Sequence, residues 1–310
     1  MTLTGVKIIL VEPAGPMNVG SVARVMKNFC LNQLVLVNPK CDYLGDEALR
    51  MAVHAKDVLQ TAEVVNTLPE GLKGCKRAIA TTARSRDWEI PLEPPRIALP
   101  WLLEEIGQPS ALIFGPEDRG LSNEELNYAQ RFMRIPTNPE YASLNLATSV
   151  GICCYELATI SGIFLDSKVD NSEYKVENHY KIQPQIEAKT QENTSNTLEK
   201  PLGTLSVDSS EYDIAPLDVV EGYYQQLESV LLTISYLYPH TVASRMEKFR
   251  QMYNRAQLRT KEVAMLRGVL RQTLWALSNH ELLDIPNQAN SNQANSNQAN
   301  SSQASERENL

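Results

Sequence analysis

Short apolar runs alternate with longer amphipathic stretches through the first half of the chain. VKIILV (residues 6–11), LVLVN (34–38), RAIATT (77–82), ALIFG (111–115) and residues 132–135 are nearly continuous in apolar character and read as buried strands. Helix-like segments such as residues 19–29 lie between them. Strands that are apolar on both faces and separated by helices predict a mostly parallel sheet covered on both sides, an α/β domain. In such sheets ligands bind beyond the carboxyl ends of the strands. Three loop-to-helix corners fall there, at residues 18–29, 114–126 and 138–157. Residues 143–165 approach the length of a membrane span. They carry Asn145, Glu156 and several Ser and Thr and lack basic flanks, which predicts a buried or interface helix instead.

The pattern changes after residue 165. Residues 166–213 are polar and acidic with no sustained period, and predict a flexible linker. Helical periodicity returns over residues 217–237, up to Pro239, then over 242–258 and 261–278. The end of the chain repeats NQANS and predicts a disordered tail. The expected organisation is therefore a catalytic or binding domain (1–165), a linker (166–213), a helical module (214–285) and a tail (286–310).

Charge sharpens this division. The net charge is −8, yet residues 240–275 hold eight basic and two acidic side chains, whereas residues 166–213 hold five and ten. Screening confines such effects to about 8 Å at physiological salt, so the local surplus outweighs the total. It fits either a solvated helix face or contact with phosphates. Five cysteines without paired spacing, and no signal-peptide pattern before the first strand, predict a reducing, cytoplasmic setting. Adjacent Cys153 and Cys154 read as small core residues.

The corners hold the residues fit for chemistry. Gly15 to Ser21 forms a Gly- and Pro-rich turn with Asn18 in it and Arg24 one helical turn beyond. It has neither a P-loop nor a dinucleotide-binding spacing, and reads either as a phosphate or ribose grip or as a capped helix with a surface arginine. In the second corner Ser122 and Glu125 make a capping box. Capping does not explain Glu117, Asp118 and Arg119 crowded at a strand's carboxyl end. Thr81, Thr82, Ala83 and Arg84 end another strand and could share the same crevice. No nucleophile elbow is present, and His54, His179, His240 and His280 all lie outside the corners. No metal-ligand spacing is found either, so a metal site is not expected.

VEPAGPMNVGSVARVMKNF, FGPEDRGLSNEEL and IPTNPEYASLNLATSVGICCYEL resemble motifs 1, 2 and 3 of the SpoU/TrmH group of SPOUT methyltransferases, in that order. KFRQMYNRAQ and LRGVL in the helical module resemble the RNA-binding extension of the group's TrmJ branch of tRNA 2′-O-ribose methyltransferases. The resemblance implies a trefoil-knotted α/β domain that forms a homodimer and binds S-adenosylmethionine, and a tRNA substrate methylated at cytidine or uridine 32 of the anticodon loop. A different tRNA position, ribosomal RNA or a non-catalytic RNA-binding role are the alternatives. Residue by residue it assigns Thr81, Thr82, Ala83, Gly115, Ile135, Ala142, Ser143, Leu144 and Asn145 to the cofactor. It assigns Arg24, Asn18 and Ser143 to catalysis. Glu117 and Arg119 fall at the substrate, with Arg245, Lys248, Arg250, Arg255 and Arg259 of the module facing tRNA. The family often has an arginine directly after the motif 2 glycine. Here Pro116 stands in that place, and Arg119 is the candidate substitute.

Overall fold

The structure, a computed structural model, describes residue 3 and residues 5–83, 91–104, 108–163 and 213–279. The expected linker (apart from Asp213), the tail, Arg84, His179 and His280 lie outside the described residues.

Seven strands form one sheet: β1 (Val6–Val11), β2 (Gln33–Val37), β3 (Glu63–Val65), β4 (Arg77–Thr81), β5 (Leu92–Glu93), β6 (Ser110–Phe114) and β7 (Arg131–Met133). Every pairing is parallel and the order is β3-β2-β1-β6-β4-β7-β5. Alternation along the strands builds two cores. Ile8 and Leu10 of β1, Leu34 and Leu36 of β2, and Leu112 and Phe114 of β6 face one side. There they meet α1 (Pro16–Asn28), α2 (Asp46–Ala52), α3 (Lys56–Gln60) and α7 (Leu146–Ser161). Ile9, Val11, Val35, Val37, Ala111 and Ile113 face the other side, toward α4 (Leu68–Gly71) and α6 (Asn123–Leu126). Strands sandwiched in this way have no wet face, which is why the sequence runs are apolar throughout rather than alternating. The short helix α5 (Pro95–Ala98) and a 3₁₀ turn at Leu99–Leu103 close the sheet near β5 and β7. Cys153 and Cys154 are both buried, and burial pushes their thiols upward, Cys154 to about 12.

The C-terminal module is three helices, α8 (Leu217–Thr233), α9 (Val242–Ala256) and α10 (Thr260–Ser278), around a core of Tyr223, Tyr224, Leu227, Met246 and Val263. It docks on the first domain. Leu217 N donates to Cys75 O at 2.8 Å, Gly74 N to Asp218 Oδ1 at 3.1 Å, and Lys76 pairs with Asp213. Asn254 Nδ2 donates to the carbonyls of Asn127 and Ala129, each at 3.2 Å. Leu217 joins the second core directly, so α8 covers part of that face of the sheet.

Element boundaries depart from the sequence reading for local reasons. The helix expected over 217–237 ends at Thr233, because Ser235 takes a positive φ of 59° and turns the chain before Pro239 is reached. Leu237 then packs inward as a buried turn residue. The second module helix stops at Ala256 instead of residue 258, since Gln257 is left-handed with φ 49°. The third-corner helix starts at Leu146 rather than 143 and is closed by left-handed Gly162.

Candidate active site

A pocket of about 460 Å³ opens at the carboxyl ends of β4, β6 and β7. The strand order creates it, because β6, β4 and β7 are neighbours and the segments leaving them converge. Thr81, Thr82 and Ala83 leave β4, Gly115 to Leu121 leave β6, and Ile135 and Ala142 to Leu144 follow β7. Of the residues assigned to the cofactor, only Asn145 lies off the pocket lining. Its side chain instead caps α7, with Oδ1 accepting from Ala147 N and Thr148 N.

The floor is set by backbone. Thr82 N donates to Met133 O at 3.0 Å, and Thr81 Oγ1 donates to Ile113 O at 2.9 Å. The loop after β6 doubles back so tightly that a Cβ on Gly115 would stand 2.3 Å from Leu121 N. Gly120 completes the reversal with φ 66°, a region that L side chains rarely adopt.

A short chain of bonds, Glu117 to Asn18 to Asn145, ties the three corners together. Glu117 Oε2 accepts from Ala14 N at 3.1 Å, and its Oε1 accepts from Gly15 N at 3.2 Å and Asn18 Nδ2 at 2.9 Å. Asn145 Nδ2 in turn donates to Asn18 Oδ1 at 2.9 Å. Asn18 is thereby held from both sides, with its amide orientation fixed by an acceptor that can only accept and a donor that can only donate. Partial burial alone would raise the Glu117 carboxyl; the bonds from Asn18, Ala14 and Gly15 outweigh it and hold it below the ordinary carboxylate value.

Arg119 has a structural engagement. Its guanidinium bonds Glu125 through Nη1 at 2.9 Å and Nη2 at 3.0 Å, and Glu12 through Nη2 at 2.7 Å. Glu125 also closes the capping box with Ser122, as the sequence predicted. The bonds to Glu125 and then Glu12 raise Arg119 further above its already high value. Arg119 therefore lines the pocket at its rim, with its guanidinium braced by Glu125 and Glu12 and still partly exposed.

The remaining predicted residues fall in three places. Ser143 lines the pocket. Arg24 is exposed on α1, outside the lining and without an ion-pair or hydrogen-bond partner among the described residues. In the module, Arg245, Lys248 and Arg255 are exposed at positions that share one face of α9 with Met252. Arg250 points the opposite way. It is bonded to Glu221 at 2.8 Å and stacked over Tyr224 (4.6 Å) and Tyr128 (5.4 Å), at the seam between module and domain. It was expected to face tRNA; the helix period instead places it inward, five residues from both Arg245 and Arg255. Arg259 sits at the start of α10, its backbone N–H bonded to Glu262. The sequence reading missed Asn254 and Glu221, which anchor this seam. Their only signal was membership of the buried stripes of α8 and α9.

No helix among the described residues is long and apolar enough to cross a membrane, and no cluster of metal-ligating side chains occurs among them. The sequence matches the SpoU rRNA methylase family over residues 5–155, and the C-terminal domain of tRNA methyltransferase TrmJ over residues 218–282. It is 34% identical over 273 residues to the tRNA (cytidine/uridine/adenosine-2′-O-)-methyltransferase TrmJ of Pseudomonas aeruginosa, covering 87% of this chain and 94% of that protein. It is likewise 34% identical over 274 residues to the tRNA (cytidine/uridine-2′-O-)-methyltransferase TrmJ of Pectobacterium atrosepticum, covering 86% and 96%. Among solved structures, TrmJ from Z. mobilis ZM4 superposes with a TM-score of 0.65 at 27% identity, over 86% of this chain and 97% of that one. With the pocket-bearing domain and the docked helical module both covered by these matches, the chain belongs to the SpoU methylase family, in its TrmJ tRNA methyltransferase branch.

Proposed function

We propose that this methyltransferase modifies the 2′-hydroxyl of a ribose in tRNA, at cytidine or uridine 32 of the anticodon loop, using S-adenosylmethionine and acting as a knotted homodimer. The observation that carries the reading is the convergence of the β4 end and the second and third corners on one pocket, with the first corner tied to its rim through the Glu117–Asn18–Asn145 hydrogen bonds.

The pocket suits the cofactor. Phe114, Ile135, Leu144 and Leu146 offer an apolar bed for adenine, and the side-chain-free Gly115 allows close backbone approach. Thr82, Gly115 and Leu144 would hold it with main-chain groups. When bound, S-adenosylmethionine supplies an electrophilic methyl group. The protein's share is to orient the reactants, which converts a bimolecular encounter into an effectively unimolecular step. Asn18, fixed from both sides, presents its amide to the ribose. Arg24 binds the adjacent phosphate and polarises the hydroxyl; a guanidinium is a poor proton acceptor, so the hydroxyl proton is released to solvent water as the methyl group is transferred.

Two surfaces support the partners. Val25, Phe29, Ala147, Gly151, Ile152 and Tyr155 line an open, largely apolar groove where α1 meets α7, suited to a second copy of the chain. Arg24 neighbours this face and is absent from its own pocket, so it serves the pocket of the partner copy. On the module, Arg245, Lys248 and Arg255 form a basic stripe about 15 Å long, at 1.5 Å per helical residue, suited to successive phosphates.

The test is a map of 2′-O-methylation in tRNA and ribosomal RNA from cells lacking the protein, with transfer reconstituted from labelled S-adenosylmethionine. Loss at nucleotide 32 alone is expected. Loss at a ribosomal site, or at none, overturns the reading.

A further inference from the structure

A second cavity, of about 440 Å³, lies between the edge of the sheet at β5 and β7 and the last turns of α9. Its size is within the roughly 300–1,000 Å³ of small-molecule sites. Glu93 and Arg131 border it from the sheet and Asn127 from the loop before β7. Gln251 and Arg255 face it from α9, and Phe132 supplies an apolar wall. Two polar atoms of its lining residues are unmet. Glu93 Oε2 and Asn127 Oδ1 are buried without a hydrogen-bond partner among the described residues. Arg131 Nη1 stands 3.5 Å from the Glu93 oxygen, near enough for charge compensation but long for a hydrogen bond. Buried acceptors are costly to leave unmet, so a site holding two of them is shaped for an occupant that brings donors.

Position narrows the occupant. Arg131 and Phe132 of β7 border this cavity, and the next residue, Met133, lines the methyl-transfer pocket. On the other side Arg255 is the last member of the basic stripe on α9. The cavity thus lies between a surface suited to phosphates and the pocket where a ribose is modified. Asn254 holds the two sides in register, its amide being saturated by Asn127 O, Ala129 O and Tyr224 Oη.

We propose that this cavity receives the base of a nucleotide flanking the methylated one. The base places its exocyclic amine on Glu93 and Asn127, and Arg255 holds its phosphate. Splayed single-stranded bases are read in this manner, by edge hydrogen bonds beside apolar and guanidinium surfaces, and Gln251 adds an amide matched to a base edge. The class of ligand is an amino-bearing base, adenine, cytosine or guanine, in a single-stranded RNA loop. The proposal rests on the tRNA methyltransferase reading and adds to it a second point of sequence readout.

The experiment uses the full chain and synthetic anticodon stem-loops in which each loop nucleotide next to the target is replaced in turn by an abasic residue. One abasic position is expected to lower wild-type kcat/KM about tenfold, the discrimination of a good base contact. Glu93→Gln and Gln251→Ala are expected to lower it comparably on the intact RNA, with KM for S-adenosylmethionine unchanged, and to lose nothing further on that abasic RNA. Gln251→Trp fills the cavity from the helix side and should behave in the same way while keeping wild-type thermal stability. Variants that match wild type, or losses that multiply at every abasic position, overturn the cavity assignment alone. If wild type methylates no RNA at all, the methyltransferase reading and this proposal fall together.

Discussion

Replacing Glu117 by alanine tests the central feature of the site. Its carboxylate receives three hydrogen bonds, from Ala14 N, Gly15 N and Asn18 Nδ2, at 2.9–3.2 Å. At a partly exposed site each such bond is worth about 0.5–1.5 kcal/mol net, and water replaces part of it, so the substitution should cost about 2 kcal/mol. For a domain of this size that lowers Tm by roughly 4–8 °C. Catalysis should suffer more, because Asn18 loses the acceptor that fixes its amide. A misplacement on the order of 1 Å can cost about 100-fold, so kcat should fall to that extent while cofactor affinity holds. A double-mutant cycle with Asn18→Ala, read in single-turnover methyl transfer, should show coupling of about 1 kcal/mol or more. The carboxyl also predicts a pH effect. Its folded pKa lies below the ordinary 4.5, so its stabilisation is present above that value and is lost as pH falls through the folded pKa. Wild type should therefore lose stability on acidification below about pH 4.5, and Glu117→Ala should show a flatter acid limb. Wild-type turnover in Glu117→Ala, or strict additivity with Asn18→Ala, would refute the idea that this carboxylate positions the site.

Four further outcomes are expected. Arg24→Ala should abolish methyl transfer while calorimetric cofactor binding is retained; normal turnover would remove Arg24 from the chemistry. Arg119→Ala should lower stability by about 1 kcal/mol through loss of its bonds to Glu125 and Glu12, with tRNA affinity unchanged in filter binding, and a large affinity loss would restore it to substrate contact. Gly115→Ala should weaken cofactor binding at least tenfold, roughly 1.4 kcal/mol, because its methyl group would press on the Leu121 backbone that shapes the pocket. Replacing Arg245, Lys248 and Arg255 together by alanine should reduce the slope of log affinity against log salt by about 2.1–2.7, since each lost phosphate contact removes about 0.7–0.9; an unchanged slope counts against the stripe.

Much of this was legible because each corner announces itself locally. Apolar runs gave β1, β2, β4, β6 and β7, and the Ser122–Glu125 capping box could be read from spacing alone. The edge strands were not legible. β3 is three residues with two of them exposed, and β5 is two residues, too short for any period to register. Neither does periodicity reveal which strands are neighbours, so that β6 lies between β1 and β4 emerges only from tertiary pairing. The resemblance brought eight of the nine assigned cofactor residues to the pocket lining, and it placed Asn145 nearby. It said nothing of Glu117 bonding Asn18, a contact between residues 99 positions apart. Charge counting was blind to direction: Arg250 and Arg255 contributed equally to the basic surplus, yet helix geometry sends one into the seam with Glu221 and leaves the other exposed beside the second cavity.

The docking of α8 has a mechanical corollary. Its first residue is hydrogen-bonded to Cys75, and Lys76 pairs with Asp213, immediately before β4 begins at Arg77. The other end of β4 delivers Thr81, Thr82 and Ala83 to the pocket. Five residues of strand at about 3.3 Å each make a strut of roughly 16 Å, clamped on both sides by its neighbours β6 and β7. A load applied to the module therefore has a stiff path to the Thr81–Ala83 segment that lines the pocket. The helical module and the floor of the pocket are thus joined by one short, braced strand.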